Sequence, residues 1–430
     1  MKLAVFGLWH LGSVTAACAA AAGICTVGID LDREQISKLA AGEPPLYEPG
    51  LADLIRTGIA ANTLTFSSDV ASVSDTDIVW VCHDTPVDDL DRADVESVRG
   101  QIEMLFPHLK DAAMVLVSAQ LPVRSVAALE RSFAQQANGR TVSFACSPEN
   151  LRLGKAIEVF TKPERIVVGV RDERSHAMLE PLLSRFSRNL IWMSVESAEM
   201  VKHGLNSFLA ASVTFANELA AICERVGADA SEVERGLRSD ARIGPNAYVR
   251  AGPAFAGGTL ARDVNFLRAL AGEDDLTLPV MDGIIASNRA HGQWAYRQLQ
   301  RILQPLAGRT IGVLGLAYKA GTSALRRSPS IELIQALVRD GARVQAFDPY
   351  VSNLPDELRP TVCLCPDVHS VASGADALVV ANESPEFRNL SVDDVASSMA
   401  GRVILDAGRF LPPAFAEDKR LSLISVGRIS

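Results

Sequence analysis

Lys202 and Asn206 stand four residues apart in SAEMVKHGLNSFLA, where apolar residues recur every three or four positions. That period predicts a helix, and residues four apart on a helix share a face. A cation and an amide side by side suit one oxygen atom that becomes negative during a reaction. Glu149 follows Pro148 after the strand-like run TVSFAC. In an open α/β sheet that position faces the ligand crevice, where a carboxylate can act as a general base. A carboxylate that caps a helix is the competing reading.

The first strand-like run, LAVFG, leads into Gly7-Leu8-Trp9-His10-Leu11-Gly12, and the next, CTVGI, ends at Asp30. In a dinucleotide-binding turn the first glycine permits the tight bend. The second lets the backbone approach the pyrophosphate, and the third lets helix and strand pack closely. Here Trp9 holds the second position. A carboxylate at Asp30 favours a ribose diol over a 2′-phosphate, hence NAD over NADP. Gly7, Trp9, Leu11, Gly12 and Asp30 are therefore candidate cofactor residues.

Cys363, Cys365 and His369 have metal-like spacing but lack a fourth ligand, so no metal site is expected. His10, His83 and His203 are isolated and read as satisfied structural histidines. Neither a Ser-His-Asp arrangement nor a GxxxxGK[ST] loop is recognisable.

These residues need elements to hold them. LAVFG, CTVGID, DIVWVCH, AMVLVSA, TVSFAC and RIVVGV are short strand-like runs separated by helix-length segments, the pattern of a parallel sheet with crossover helices. From Ser197 a helical period runs through Met200, Val201, Leu205, Phe208, Leu209, Val213, Ala216, Leu219, Ile222 and Val226. The alternation resumes after Pro305 with TIGVLGLAY, ARVQAFDP, ADALVVAN and RVILDAG. The expected fold class is α/β, with two Rossmann-type parallel-sheet domains, 1–196 and 304–430, joined by a helical segment, 197–303.

The 430 residues are 48% hydrophobic and 22% charged, which excludes both a single small module and a disordered chain. A formal charge of -9 argues against a general nucleic-acid binder. Seven scattered cysteines, an odd number, fit a reducing cytoplasm better than a disulfide framework. Residues 3–29 lack charges, but Gly7 and Gly12 interrupt the run and a strand-helix-strand unit buried on both faces explains it. No membrane span is expected.

The chain resembles the UDP-glucose/GDP-mannose dehydrogenases along nearly its whole length. The resemblance rests on GEPPLYEPGL, the Thr85-Pro86 turn, SPENLRLGKAIEVFTKPERIVVG, SAEMVKHGLNSFLAASVTFANELAAICERVGAD, DARIG, GPAFAGGTLARDV, VLGLAYKAGTSALRRSPSIELIQAL, FDPY and LDAGR, in that order. It implies NAD on the first domain and a nucleotide-sugar on the last. It also implies oxidation of a sugar C6 hydroxyl, with two hydrides passed to two NAD, by a homodimer.

Residue by residue, the resemblance implies that Lys202 and Asn206 hold an oxyanion, that Glu149 is the general base and that Asp263 orients a water or the nucleophile. Thr85 and Arg326 join the cofactor residues, with Arg326 also near the sugar diphosphate. Arg242, Tyr248, Gly257 and Lys319 face the substrate, and Arg242 reaches the neighbouring subunit's. Five residues depart from the family pattern. Thr259 occupies the place of the catalytic cysteine, Leu153 that of a second acid, and Arg262 that of a lysine, while Ala254 and Ala256 replace pocket glycines.

An alcohol ionises far less readily than a thiol. Thr259 is thus expected as a helix N-cap, and Cys146 as a small core residue rather than a substitute thiol. The missing thiol leaves four readings open. Oxidation can pass through an aldehyde hydrate or stop after one hydride. Oxidation and re-reduction would epimerise the sugar, and a non-catalytic nucleotide-sugar sensor needs neither.

Overall fold

The computed structural model describes residues 1–428 apart from 87–92, 150, 257, 258, 274, 275, 319, 324, 326 and 327. The chain divides into two compact units, Met1–Leu205 and Asn206–Ser430.

The first unit contains β1 (Lys2–Phe6), β2 (Cys25–Ile29), β3 (Leu64–Ser67), β4 (Ile78–Val81), β5 (Met114–Val117), β6 (Ser143–Cys146), β7 (Ile166–Gly169) and β8 (Leu190–Met193). They form one sheet in the order β3-β2-β1-β4-β5-β6-β7-β8. Alternate residues of β1 enter different cores: Leu3 and Val5 pack on one face with Val14, Cys18 and Leu116, whereas Ala4 and Phe6 pack on the other with Val79, Ile102 and Phe106. Burial on both faces explains why the first 29 residues carry so little charge. That stretch folds as strand, helix (His10–Ala21) and strand.

The second unit contains β9 (Thr310–Leu314), β10 (Arg343–Phe347), β11 (Val362–Leu364), β12 (Ala377–Val380), β13 (Val403–Asp406) and β14 (Ser422–Ile424), ordered β11-β10-β9-β12-β13-β14. Its sheet is likewise covered on both faces, with Ala377 and Val379 on one and Leu378 and Val380 on the other. Helices Ala230–Ser239, Leu260–Glu273, Pro279–Gly292 and Trp294–Leu303 precede it.

The sheets differ from the sequence expectation in two respects. Four further strands, β3, β8, β11 and β14, extend the sheets beyond the runs visible in the sequence. The junction of β6 and β7 is antiparallel, through Cys146 and Gly169, although β7 and β8 pair in parallel.

The predicted long helix spans Val195–Val226, beginning in the first unit and ending in the second. Among the described residues it is the one helix long and apolar enough to cross a membrane by length and composition. Glu199, His203, Asn206 and Asn217 are nevertheless polar residues of this helix that are buried against protein. Ala210, Ala216, Ala220 and Cys223 pack inward, whereas Phe208, Phe215 and Ile222, seven apart, are 71%, 55% and 57% exposed. The helix is therefore apolar on more than one face.

Candidate active site

The turn after β1 is shaped by its glycines. Gly7 has φ +88, and a Cβ there would lie 2.7 Å from His83 Nδ1. A Cβ on Gly12 would lie 1.8 Å from the Gly7 carbonyl oxygen, so helix and turn touch backbone to backbone. Trp9 is the N-cap of the helix His10–Ala21, with φ -63 and no side-chain cap bond. That φ suits any residue, so the indole strains nothing in the backbone. Trp9 is 47% exposed, while Leu11 packs against the core.

Asp30 directly follows β2, and its Oδ2 accepts from Leu8 N at 2.7 Å while Oδ1 accepts from Asp32 N at 3.0 Å. The carboxylate is thus fixed beside the turn, with lone pairs remaining for a diol. Glycine-backed turn, uncapped helix N-terminus and anchored carboxylate together fit a dinucleotide. Thr85 is buried, and its hydroxyl donates to Gln120 O at 2.7 Å, tying the loop after β4 to that after β5.

Also in the first unit, Lys202 is withdrawn from solvent, its side chain 13% exposed. Its Nζ donates to Glu149 O at 2.6 Å and lies 3.8 Å from Glu149 Oε1. Glu149 Oε2 also accepts from Leu151 N at 2.6 Å. Its carboxylate therefore carries a local backbone bond and stands beside a cation, but it caps no helix, since the next one begins at Ala156 with Lys155 as its N-cap. Cys146 is buried, and desolvation raises its thiol pKa, so it does not supply a ready thiolate.

One helical turn beyond Lys202, in the second unit, Asn206 Nδ2 donates to Asp263 Oδ2. Asp263 lies in the first turn of the helix Leu260–Glu273 and is fully buried, and Arg262 beside it is buried too. A carboxylate sits favourably at a helix N-terminus.

Thr259 immediately precedes that helix and is exposed, its carbonyl accepting from Asp263 N at 3.3 Å. It occupies the expected cap position, but no side-chain cap bond from it is found among the described residues. The cap expectation is corrected to that extent. Arg242 is exposed and paired with Asp240, Nη2 to Oδ2 at 2.7 Å, and Tyr248 is also exposed. Gly257, Lys319 and Arg326 lie outside the described residues.

The second unit also holds a cavity of about 400 Å³ at the carboxyl ends of β9 and β12. Ala254, Ala256, Tyr318, Asn382, Glu383 and Phe410 are among the residues lining it. Its size and position suit a small ligand.

The histidine expectation needs one correction. His10 Nε2 lies 3.0 Å from Glu48 Oε2, and His203 Nε2 lies 3.0 Å from Leu121 O, so both are satisfied. His83 is not: its Nε2 is buried without a hydrogen-bond partner among the described residues. Its pKa is pushed down to about 4, mainly by burial, with Asp30 opposing.

Two further carboxylates, Glu48 and Glu199, have structural roles that the sequence does not signal. Glu48 accepts from Gly154 N and Ala156 N, each at 2.8 Å, and so ties the start of the first helix to the segment after Glu149. Burial raises its pKa, but these amides and His10 outweigh that and lower it. Glu199 accepts from Arg124 N and Val126 N at the start of the helix Ser125–Ala134. The motifs holding both are visible, but nothing marks either carboxylate as buried.

Residues 1–187 match the NAD binding domain of the UDP-glucose/GDP-mannose dehydrogenase family, 196–290 its central domain and 312–413 its UDP binding domain. The chain is 31% identical to a UDP-glucose 6-dehydrogenase of Pseudomonas aeruginosa, covering 100% of this chain and 98% of that protein. It is 33% identical to UDP-glucose 6-dehydrogenase TuaD of Bacillus subtilis, over 94% of this chain and 88% of the other. Among solved structures, a UDP-glucose dehydrogenase from Pyrobaculum islandicum superposes with a TM-score of 0.87 at 28% identity, covering 99% of this chain and 98% of that one. The chain belongs to the UDP-glucose/GDP-mannose dehydrogenase family and is an NAD-dependent enzyme of it.

Proposed function

We propose that the chain oxidises the C6 hydroxyl of a UDP-linked hexose, UDP-glucose being the first candidate. The buried Asn206–Asp263 pair carries this reading. A carboxylate withdrawn from water is costly unless it is bonded, and packing alone gives no reason to place one there. The names of the curated relatives support the substrate class.

NAD, when bound, accepts the hydride from C6. Glu149 takes the hydroxyl proton, so the alcohol becomes an aldehyde as NADH and one proton are formed. Lys202 and Asn206, on successive turns of one helix, stabilise the oxygen as charge develops on it. Asp263 fixes the Asn206 amide, leaving its second N–H for the reacting oxygen.

The cavity at β9 and β12 takes the nucleotide. Tyr248, Gly257, Lys319 and Arg326 are assigned to substrate and cofactor on the family pattern, within a division into 1–196, 197–303 and 304–430.

Thr259 favours a second reading of the fate of the aldehyde. Without a thiolate there is no thioester, so a carboxylate product must come from the hydrated aldehyde, with Glu149 or Asp263 positioning the water. Otherwise the reaction ends at the aldehyde.

The exposed stripe Phe208, Phe215 and Ile222 supports a homodimer, with Arg242 directed to the partner's substrate. A cytoplasmic location accords with free thiols among the described cysteines. Calorimetric titration of the full chain tests the enzyme reading. NAD and UDP-glucose should both bind, whereas sugar binding without NAD binding would make the protein a sensor.

A further inference from the structure

The first sheet switches direction between β1 and β4, and ligands of such sheets bind at the carboxyl ends of the strands on either side of that point. Gly7 follows β1 and His83 follows β4, so these two residues form the lips of the crevice. The imidazole stands against Gly7 and meets Phe6 edge-on, with ring centroids 4.5 Å apart at 85°. Its Nε2 has no partner among the described residues. Buried polar nitrogens are rarely left in that state unless something outside the fold uses them.

The second unit repeats this arrangement and supplies a comparison. Gly315, at φ +91, follows β9, and a Cβ there would come 2.5 Å from Asn382, which follows β12. Asp348 after β10 corresponds to Asp30 after β2: it accepts from Leu316 N at 2.8 Å, as Asp30 accepts from Leu8 N. Asn382 is used by its own fold, donating to Asp348 Oδ2 at 3.3 Å and to Ala317 O at 3.4 Å. Asp30 instead receives Leu8 N, Asp32 N and Gln35 Nε2. The same place in two sister domains thus holds one polar side chain that the fold employs and one whose Nε2 has no partner among the described residues.

We propose that His83 is a cofactor-contact residue whose imidazole hydrogen-bonds the nicotinamide-side phosphate and ribose of NAD, which AMP lacks. The proposal rests on NAD binding by the first domain. Nε2 is closed to solvent, so the contact requires the ring to turn that nitrogen into the crevice as NAD binds.

The test compares the full-length protein with H83L and with H83N, which copies Asn382. Binding of NAD, AMP and UDP-glucose is followed by calorimetry. H83L should weaken NAD at least tenfold, in line with a bond to a charged group, while AMP and UDP-glucose keep their affinities. H83N should recover most of the loss. Unchanged NAD affinity in H83L overturns the proposal, and so does an equal loss for AMP, which would mean that only the turn was disturbed. If H83L fails to melt cooperatively, the wild-type ring 15N signals decide, assigned by their absence in H83N. They should move on addition of NAD but not AMP, and unmoved signals would refute the contact. Failure of the wild-type protein to bind NAD would remove the underlying reading together with the proposal. Normal wild-type binding with an indifferent H83L would remove the proposal alone.

Discussion

Asn206 hands an amide hydrogen to Asp263 inside the second unit, where 5% of Asn206 and none of Asp263 is exposed. One residue comes from the long helix and the other from the first turn of the helix Leu260–Glu273. Replacing the carboxylate by an amide keeps the volume but removes the charge and turns one of its two acceptor oxygens into a donor. Asp263→Asn should therefore lower kcat on the order of a hundredfold, the scale of a lost oxyanion-site group, with little change in NAD affinity. A kcat within threefold of wild type would show that the pair is structural.

Lys202 donates to the Glu149 carbonyl oxygen and stands 3.8 Å from its carboxylate. Lys202→Ala should raise the barrier by about 3 kcal/mol and leave UDP-glucose binding nearly intact. Rapid-quench measurement of the first turnover checks this, and an equal loss in binding and rate would assign Lys202 to uniform binding instead.

Thr259 stands at the start of a helix, where a thiol would be readily ionised. Thr259→Ala should retain aldehyde formation. Thr259→Cys should add a second hydride transfer and become sensitive to alkylation. If Thr259→Ala abolishes turnover while both ligands still bind, the hydroxyl takes part in the chemistry.

His83 links the cofactor turn to acid stability. Burial holds its pKa down at about 4, against about 6.5 for an unfolded histidine. Between those values the unfolded chain binds a proton that the folded chain does not, so stability falls as pH drops from 6.5 towards 4 and is fully present above 6.5. Thermal melts at pH 7 and pH 5 should show a smaller acid-induced loss for H83N than for wild type. Equal losses would mean that other groups govern this range.

Much of the fold was legible because the inner strands are apolar on both sides. β1 and β4, for example, are buried almost throughout, and such runs are conspicuous in a sequence. The four strands beyond the legible runs are the outer ones: β3 and β8 flank the first sheet, β11 and β14 the second. Having one neighbour each, they are only partly buried, as in LTFS and LIWM, and so lack the two-sided burial that marks the inner strands.

In the site, glycine spacing and the strand-end aspartate gave the cofactor turn, since each answers a local steric or charge requirement. The helical period correctly placed Lys202 and Asn206 one turn apart, but it could not separate the buried Ala216 from the exposed Phe208 and Phe215. His83 and Glu48 escaped because burial and hydrogen-bond satisfaction are tertiary properties. One histidine is satisfied by Glu48 from 38 positions away, and another, set against the still more distant Gly7 and Phe6, has an Nε2 without a partner among the described residues.

The most direct measurement is the yield of NADH per sugar when excess enzyme and NAD meet limiting UDP-glucose in a single turnover. One NADH per sugar should form in a fast phase that is lost in Lys202→Ala, with any second equivalent forming slowly through the hydrate. Bound NAD and bound UDP-glucose that together produce no NADH would contradict the proposed oxidation.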